Sequence, residues 1–531
     1  MPNLKHRYVV AALLFTALMT RAQDISRKQA GGRSSPEQSG TSQADTTSTI
    51  KVTTRIVVVD VVVTDKKGDL IHRDLTRDDF TVLEDRRPQT IRSFEPPSEH
   101  QMPTSDKAIV TSAADLKKIG DAPVTILVLD ELNSRFEDMS FARQMMIKYL
   151  EAQPAVLKEP AVLMVAMNNS FQQIHDYTQN RDELIDVVKK HMPEYPWRMA
   201  NSGKSGPGAV ERMAQVMAAL QQIAQASTGT NGRKNLIWVG NGFPSANLVG
   251  LEQTQADLIE AAMRRCTDRL LAARITMYSI NPAANSTSII EVDTPDDLNI
   301  ALDANGTDPF DGGTVSFTNF APSTGGVAFT GRNDLNNVIA EGITKGQNYY
   351  TLSYSPTNTS EDAGKFRKIR IIMKDPSLHA TTRDGYYPET ASDLNPILDK
   401  TMSSKQVAAN LQLDLSAALT TTISYNGLSV TAAKSTGDTY AIQVAESGIG
   451  WSDPGADGAQ HAEATIAAGW YDRKGKLLGH VIREETFPRK DSNAGASFTL
   501  PVDLPNNVAR VRFVVRDAFN GRMGTVDVTK F

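Results

Sequence analysis

Acidic and small polar side chains follow a short apolar run, and their types make them the first candidates for chemistry. Asp130, Asn133 and Ser134 come soon after apolar residues 125–129, and a helical pattern covers about residues 139–150. A buried strand that leads into a helix places such side chains at the carboxyl edge of a parallel sheet, where open α/β sheets bind ligands. Carboxylate and hydroxyl oxygens are ligands for a hard cation such as Mg²⁺ or Ca²⁺. In the alternative interpretation, Asp130 and Ser134 cap the loop and helix that follow.

The elements that must position these side chains alternate between strand and helix patterns. Strand patterns cover residues 124–129, 161–167, 235–239, 275–280 and 327–329, and helix patterns cover residues 139–150, 181–190, 210–226, 251–272 and 333–343. Strands that alternate with long amphipathic helices predict a mostly parallel sheet with helices on both faces. The predicted fold class for this region is therefore α/β, doubly wound.

The end of the first strand resembles the von Willebrand factor type A (vWA) family. That family has an Asp-x-Ser-x-Ser motif there, and this chain has Asp130 and Ser134 with Leu132 in the middle position. Residues 235–242 occupy the place of the family's central strand, which ends in Thr-Asp-Gly, and Asn241 stands where the family has aspartate. The resemblance implies a vWA-like, Rossmann-like domain.

Flanking sequences extend the resemblance. Residues 75–85, the tyrosine pairs at 349–350 and 386–387, and the first strand are together similar to the VWFA-related family seen mainly in acidobacterial genomes. The resemblance covers roughly residues 50–390 and places the vWA-like domain at residues 121–345.

The same resemblance implies a degenerate metal site. It assigns Asp130 and Ser134 to the first metal-binding loop and Asn241 to the third, while the second loop has only Ser202 and Ser205 nearby. Leu132 cannot ligate a hard cation, and a neutral Asn241 removes a negative charge. We therefore expect any binding of Mg²⁺ or Ca²⁺ to be strongly weakened.

Strand patterns flank the α/β region on both sides. Residues 50–97 form a small β unit that is expected to pair with a β extension at residues 346–388 in one sandwich. Turn signals between short strands predict a C-terminal β-sandwich at residues 406–531, beginning with a strand at residues 411–415.

The N-terminal sequence is typical of an exported protein. Basic residues 5–7 precede an apolar run at residues 8–19, which fits a signal peptide of residues 1–22. Residues 23–49 are polar and predict a disordered tether. We see no second apolar stretch of membrane length, so no transmembrane segment is expected after signal removal. The single cysteine, Cys266, excludes an internal disulfide, as suits a bacterial envelope protein.

Composition and motifs argue against several function classes. The net charge of −5 gives no basic excess for nucleic acid. The eight histidines include no pair at metal-ligand spacing, and no Gly-x-Ser-x-Gly motif is present. Residues 202–206 lack the first glycine of a phosphate loop, residues 453–458 predict a turn rather than a calcium loop, and the scattered acids at residues 303–311 predict a solvated loop.

The function expected from these observations is an exported, non-enzymatic protein-binding or adhesion module in the bacterial cell envelope or outside it. Its partner-binding surface would include Asp130, Asn133, Ser134 and Asn241, together with a long loop at residues 281–322. Two alternatives stay open. One is an envelope hydrolase with its site in the same crevice, and the other is a structural scaffold that assembles through the C-terminal β-sandwich.

Overall fold

The computed structural model describes residues 56–71, 74–103, 109–167, 170–192, 207–243, 246–247, 253–283, 314–357, 365–388, 403–435, 437–455, 458–489 and 495–529. Residues 54–531 form one unit by their contacts. The predicted signal peptide and tether, Ser202, Ser205 and residues 303–311 lie outside the described residues, as does most of the long loop.

Strands and helices are numbered here in chain order. The strands are β1 (Val57–Asp65), β2 (Phe80–Glu84), β3 (Arg87–Gln89), β4 (Ile91–Glu95), β5 (Val124–Asp130), β6 (Val156–Met167), β7 (Ser170–Asn180), β8 (Lys234–Val239), β9 (Ala246–Asn247), β10 (Ile275–Ile280), β11 (Thr314–Val315), β12 (Ala328–Phe329), β13 (Tyr350–Tyr354), β14 (Arg367–Met373), β15 (Leu378–Thr381), β16 (Gly385–Tyr386), β17 (Val430–Lys434), β18 (Thr439–Val444), β19 (His461–Tyr471), β20 (Leu477–Pro488), β21 (Ala496–Pro501), β22 (Arg510–Asp517) and β23 (Met523–Val528). The helices are α1 (Phe136–Glu151), α2 (Arg181–Lys190), α3 (Pro207–Ala226), α4 (Gln253–Ala272), α5 (Phe320–Ser323), α6 (Leu335–Gln347) and α7 (Ser404–Thr420). Among the described helices, none has the length and apolar character needed to cross a membrane.

The central sheet has the order β12-β10-β8-β5-β6-β7. Its first five strands are parallel, and β7 pairs antiparallel with β6. Successive residues of β5 point to opposite faces: Ile126 packs with α3 and α4, whereas Leu127 packs with α1, α2 and α6. Both faces of the sheet are therefore covered by helices, which explains why β5, β8 and β10 are mostly apolar and lack a regular polar–apolar alternation. The fold is mixed α/β with several further sheets.

Strand β7 has no counterpart in the sequence-based expectation. Its sequence is mostly polar, and only its last residues are buried, so its pattern lacks the apolar run that marks the inner strands. The outer edge of β7 is covered by side chains and backbone from elsewhere. The Gln173 N–H donates to Thr422 Oγ1 at 2.9 Å, and the Gln179 N–H donates to the Val110 carbonyl at 3.1 Å. These contacts prevent an exposed sheet edge.

Strands from both sides of the α/β domain build two further sheets, ordered β15-β1-β13-β4 and β16-β14-β2-β3. A buried carboxylate joins them. Glu84 in β2 accepts hydrogen bonds from the hydroxyls of Tyr354 at 2.7 Å and Tyr386 at 2.9 Å, and from Arg367 Nη1 at 3.1 Å. Because Tyr354 belongs to the first sheet and Glu84 to the second, this network holds the sheets face to face.

The C-terminal part begins with a helix, so the strand predicted at residues 411–415 is wrong. In a strand, Leu413 and Leu415 would lie on the same face. In α7, Leu413 is 68% exposed and Leu415 is only 1% exposed. The alternating leucines suggested a strand, but Leu411, Leu415 and Leu419 also recur at helical spacing and pack with the α/β core.

Two sheets follow α7, with orders β17-β18-β21 and β20-β19-β22-β23, and they share one apolar core. Residues of the second sheet also belong to the α/β core. Ala467 and Val514 lie in the same buried cluster as Ile126 and Trp238. The C-terminal sheets are therefore packed onto the α/β domain through a continuous core.

Candidate functional site

The site lies where β5 and β8 end side by side. In chain order the six strands of the central sheet have the arrangement 3-2-1-4-5-6, and β5 and β8 are the first and fourth of them. The strand order therefore reverses between them. Open α/β sheets bind ligands in the crevice outside the carboxyl ends of the strands at such a point. We call Asp130, Asn133, Ser134 and Asn241 at this position the carboxyl-edge cluster.

Hydrogen bonds join all the members of this cluster. The Asn241 N–H donates to Ser134 Oγ at 3.1 Å, and Asn241 Nδ2 donates to the Asn133 carbonyl at 3.3 Å. The loop after β5 is thus tied to the loop after β8. The structure brings together the four residues that the sequence singled out, Asn133 through its backbone groups.

The Asp130 carboxylate is enclosed by hydrogen-bond donors. Its Oδ1 accepts from the N–H groups of Leu132 at 3.1 Å and Asn133 at 3.2 Å. Its Oδ2 accepts from the Gly242 N–H at 2.8 Å and from Trp238 Nε1 at 3.3 Å. A carboxylate has about four lone-pair positions, and all four are used here. Burial raises the pKa of Asp130 to about 7, although these donors act to lower it.

A glycine allows the two loops to approach. Gly240 follows β8 with φ of +151°, a conformation that L side chains rarely adopt. A Cβ atom added there would lie 2.3 Å from Asp130 Cβ and 2.9 Å from Ser134 Oγ. Only glycine fits between the strand ends without displacing the Asp130 side chain.

The expected metal ligands do not fit Mg²⁺ or Ca²⁺. Four N–H groups point at the Asp130 oxygens from the positions that a cation would need, and Ser134 Oγ already accepts the Asn241 N–H. Leu132 is buried in the core. No set of three or more His, Cys, Asp or Glu side chains suited to a metal ion occurs in the part of the chain that the structure describes. The alternative interpretation, in which Asp130 and Ser134 cap the following loop and helix, fits in part. Asp130 caps its own loop, whereas Ser134 accepts a hydrogen bond from Asn241 instead of capping α1.

The cluster itself is not an exposed contact surface, contrary to the expectation from sequence. The exposed fractions are 0% for Asp130, 4% for Asn133 and 1% for Ser134, and Asn241 is half-buried. The polar atoms of the Asn133 side chain have no hydrogen-bond partner among the described protein groups. The cluster therefore shapes the edge rather than forming its outer surface.

Two exposed apolar side chains lie next to the cluster, and the sequence patterns did not identify them as part of the site. Phe136 begins α1 and is 39% exposed, and Met192, just after α2, is 74% exposed. The preceding residue, His191, contacts the buried Glu131 with 2.6 Å between Nε2 and Oε1, which places the end of α2 at this edge. Glu131 directly follows Asp130, but nothing local in the sequence connects it with His191.

Comparisons with known proteins found no matching family model and no matching curated protein. Among solved structures, human COPII-coat protein Sec24c matches with a TM-score of 0.24 and 9% identity over 57% of this chain and 50% of that one. The SpRpn10 VWA domain matches with a TM-score of 0.15 and 13% identity, over 31% of this chain and 89% of that chain.

The pilus adhesin SpaC from Lactobacillus rhamnosus GG matches with a TM-score of 0.25 and 7% identity, over 76% of this chain and 53% of that chain. This chain thus spans about half of the length of Sec24c and of SpaC. All three TM-scores are too low to support an argument about function. The structure alone supports the conclusion of this section: a mixed α/β protein whose central sheet has a closed, hydrogen-bonded cluster at its switch point.

Proposed function

We propose that this chain is an exported, non-enzymatic protein-binding module with a vWA-like central domain. Its partner binds at the carboxyl edge of the central sheet, beside the carboxyl-edge cluster, and no metal ion takes part. The observation that carries this proposal is the Asp130 carboxylate, whose four acceptor positions are all filled by protein N–H groups.

The vWA-like character is supported by strand order and by position. The reversal of strand order between β5 and β8 puts the ligand crevice at the ends of these two strands. Asp130, Ser134 and Asn241 occupy those ends, as the sequence resemblance implied. The same side chains that would hold a cation now hold the two loops to each other.

The surface beside the cluster has the chemistry of a protein contact. Phe136 and Met192 expose apolar area at the edge, and aromatic and methionine side chains are enriched in protein interfaces. Because the cluster ties down the loop that leads into α1, Phe136 is presented by a rigid support. A preorganised contact of this kind loses less conformational entropy on binding.

Site-specific photo-crosslinking tests the proposal. A photoreactive phenylalanine analogue would replace Phe136 in the full chain, in cells of the source organism, with and without EDTA. The matched control replaces Val156, which is 58% exposed at the opposite edge of the same sheet. We expect one discrete crosslinked species at position 136 that is absent at position 156 and unaffected by EDTA. Equal labelling at both positions, no labelling, or loss in EDTA would contradict the proposal.

Export is tested separately. We expect the mature protein in the envelope or extracellular fraction to begin after Ala22, as seen by N-terminal sequencing. Full-length protein confined to the cytoplasmic fraction would refute export but leave the contact surface intact as a hypothesis.

A further inference from the structure

A cavity lies at the amino edge of the central sheet, on the side opposite the carboxyl-edge cluster. Its volume is about 110 Å³, and it is enclosed by β5, the start of β6, and the last turns of α1 and α6. The walls are mixed: the buried aliphatic side chains of Leu127, Leu150 and Ile343 stand beside polar residues such as Gln153 and Gln347. At the rim, Lys158 and Thr344 are exposed, so the cavity opens to solvent on that side.

Glu159 lines this cavity, and one of its carboxyl oxygens is unused. Glu159 is half-buried as a residue, but its Oε2 is buried and has no hydrogen-bond partner among the described residues. Burial raises the pKa of Glu159 to about 8, while a hydrogen bond from Gln347 and the charges of Arg233 and Lys158 lower it. A buried carboxyl oxygen without a partner is costly, and a bound donor would remove that cost.

The surrounding electrostatics favour a cation. Helices α1 and α6 both end at the cavity, and the C-terminus of a helix carries a partial negative charge. Nearby positive groups are otherwise engaged or exposed. Arg233 donates to Asn235 Oδ1 at 3.2 Å and to the Tyr278 hydroxyl at 3.1 Å, and Lys158 is exposed. On α1, Tyr149 stays neutral because burial raises the pKa of its hydroxyl.

We infer that this cavity binds a primary alkylammonium group, with the nitrogen at the Glu159 carboxyl group and the carbon chain against the aliphatic side chains of the wall. A cavity of about 150 Å³ holds benzene, so this one accommodates a chain of roughly four to six non-hydrogen atoms. A free diamine and the end of a lysine side chain share this chemistry. The inference is independent of the proposed partner surface, which lies at the other edge of the sheet.

Calorimetric titration of the full chain with n-butylamine at about pH 9, where Glu159 is ionised and the amine is still protonated, tests the inference. We expect a Kd on the order of a millimolar, as for a very small ligand, and at least about tenfold weaker binding of 1-butanol, which has the same chain without the charge. Glu159→Gln should weaken n-butylamine binding at least about tenfold, because it removes the charge without changing the shape. Ala340→Leu should abolish binding by filling the cavity, and Glu151→Gln, which removes an exposed carboxylate nearby on α1, should leave it unchanged.

Two further experiments identify the source of the amine and the pH dependence of its binding. Cadaverine and a lysine-containing peptide with blocked termini are compared, and the tighter binder assigns the source. The affinity should rise as the pH passes about 8, where Glu159 ionises, and fall near pH ~10, where an alkylamine loses its proton. Circular dichroism confirms that each variant is folded. Binding of no amine, equal binding of 1-butanol, or unchanged affinity in folded Glu159→Gln would overturn the inference.

Discussion

Replacing Gly240 by alanine should disrupt the carboxyl-edge cluster. Two costs add in this variant. The backbone at φ +151° is a conformation that is nearly exclusive to glycine, and holding another residue there costs about 1–3 kcal/mol. The new Cβ would meet Asp130 Cβ at 2.3 Å and Ser134 Oγ at 2.9 Å, and overpacking of this kind costs about 1–3 kcal/mol. We therefore expect a loss of about 2–6 kcal/mol in unfolding free energy.

Urea unfolding followed by tryptophan fluorescence is a suitable assay, because buried Trp238, one of four tryptophans in the chain, donates to Asp130. Gly331→Ala is the matched control. Gly331 also has a positive φ, +67°, but an added Cβ there would meet nothing within 4 Å. The control should lose only about 1–2 kcal/mol, from backbone strain alone. A Gly240→Ala variant no less stable than this control would refute the reasoning that the two loops are held in close contact.

Three further predictions concern the core and the cluster. Glu84→Gln should cost about 3–5 kcal/mol in urea unfolding, because it leaves the buried Arg367 without its counter-charge. Replacing both residues by apolar ones should recover only part of that loss, because the Tyr354 and Tyr386 hydroxyls then lose their acceptor; no recovery at all would argue against the ion pair as the cause. Burial lowers the pKa of Lys234 to about 7, from a reference value of 10.5. Between these two pH values Lys234 binds a proton in the unfolded chain but not in the folded one, so the unfolding free energy should rise with pH. Lys234→Met should remove this rise. A variant with the same pH dependence as the original protein would contradict the prediction. Finally, Mg²⁺, Ca²⁺ and EDTA should leave the Tm unchanged, and calorimetric titration should show no metal binding that depends on Asp130. An increase in Tm on adding either metal that is lost in Asp130→Ala would show that Asp130 binds a metal ion after all.

Local sequence patterns were sufficient for the inner part of the α/β domain. The strands β5, β8 and β10 are buried along their whole length and mostly apolar because both faces of the sheet are covered, and such runs are visible without a structure. The helices between them begin and end within a few residues of the predicted bounds, since their apolar residues recur at helical spacing. Asp130 and Asn241 could be placed at one edge because parallel neighbours end on the same side.

Patterns failed where one residue spacing suits two structures or where a strand is half-exposed. Leu411, Leu413 and Leu415 alternate like a strand, and only packing of α7 against the α/β core decides for a helix. The polar strand β7 is stabilised by its pairing with β6 and by contacts from the distant Thr422, neither of which a local window contains.

Residue patterns along the chain are enough to place Asp130 and its neighbours at the carboxyl edge, but their roles depend on contacts that form only in the folded protein. Whether the Asp130 carboxylate is available to a ligand depends on where four N–H groups point. Two of these, from Trp238 and Gly242, belong to residues more than a hundred positions away in the chain. The same holds for Glu159, which has an unpartnered buried oxygen and lines a cavity that α1 and α6 enclose together. Hydrogen-bond saturation and cavities are properties of assembled neighbours, so no pattern of residue types along the chain determines them.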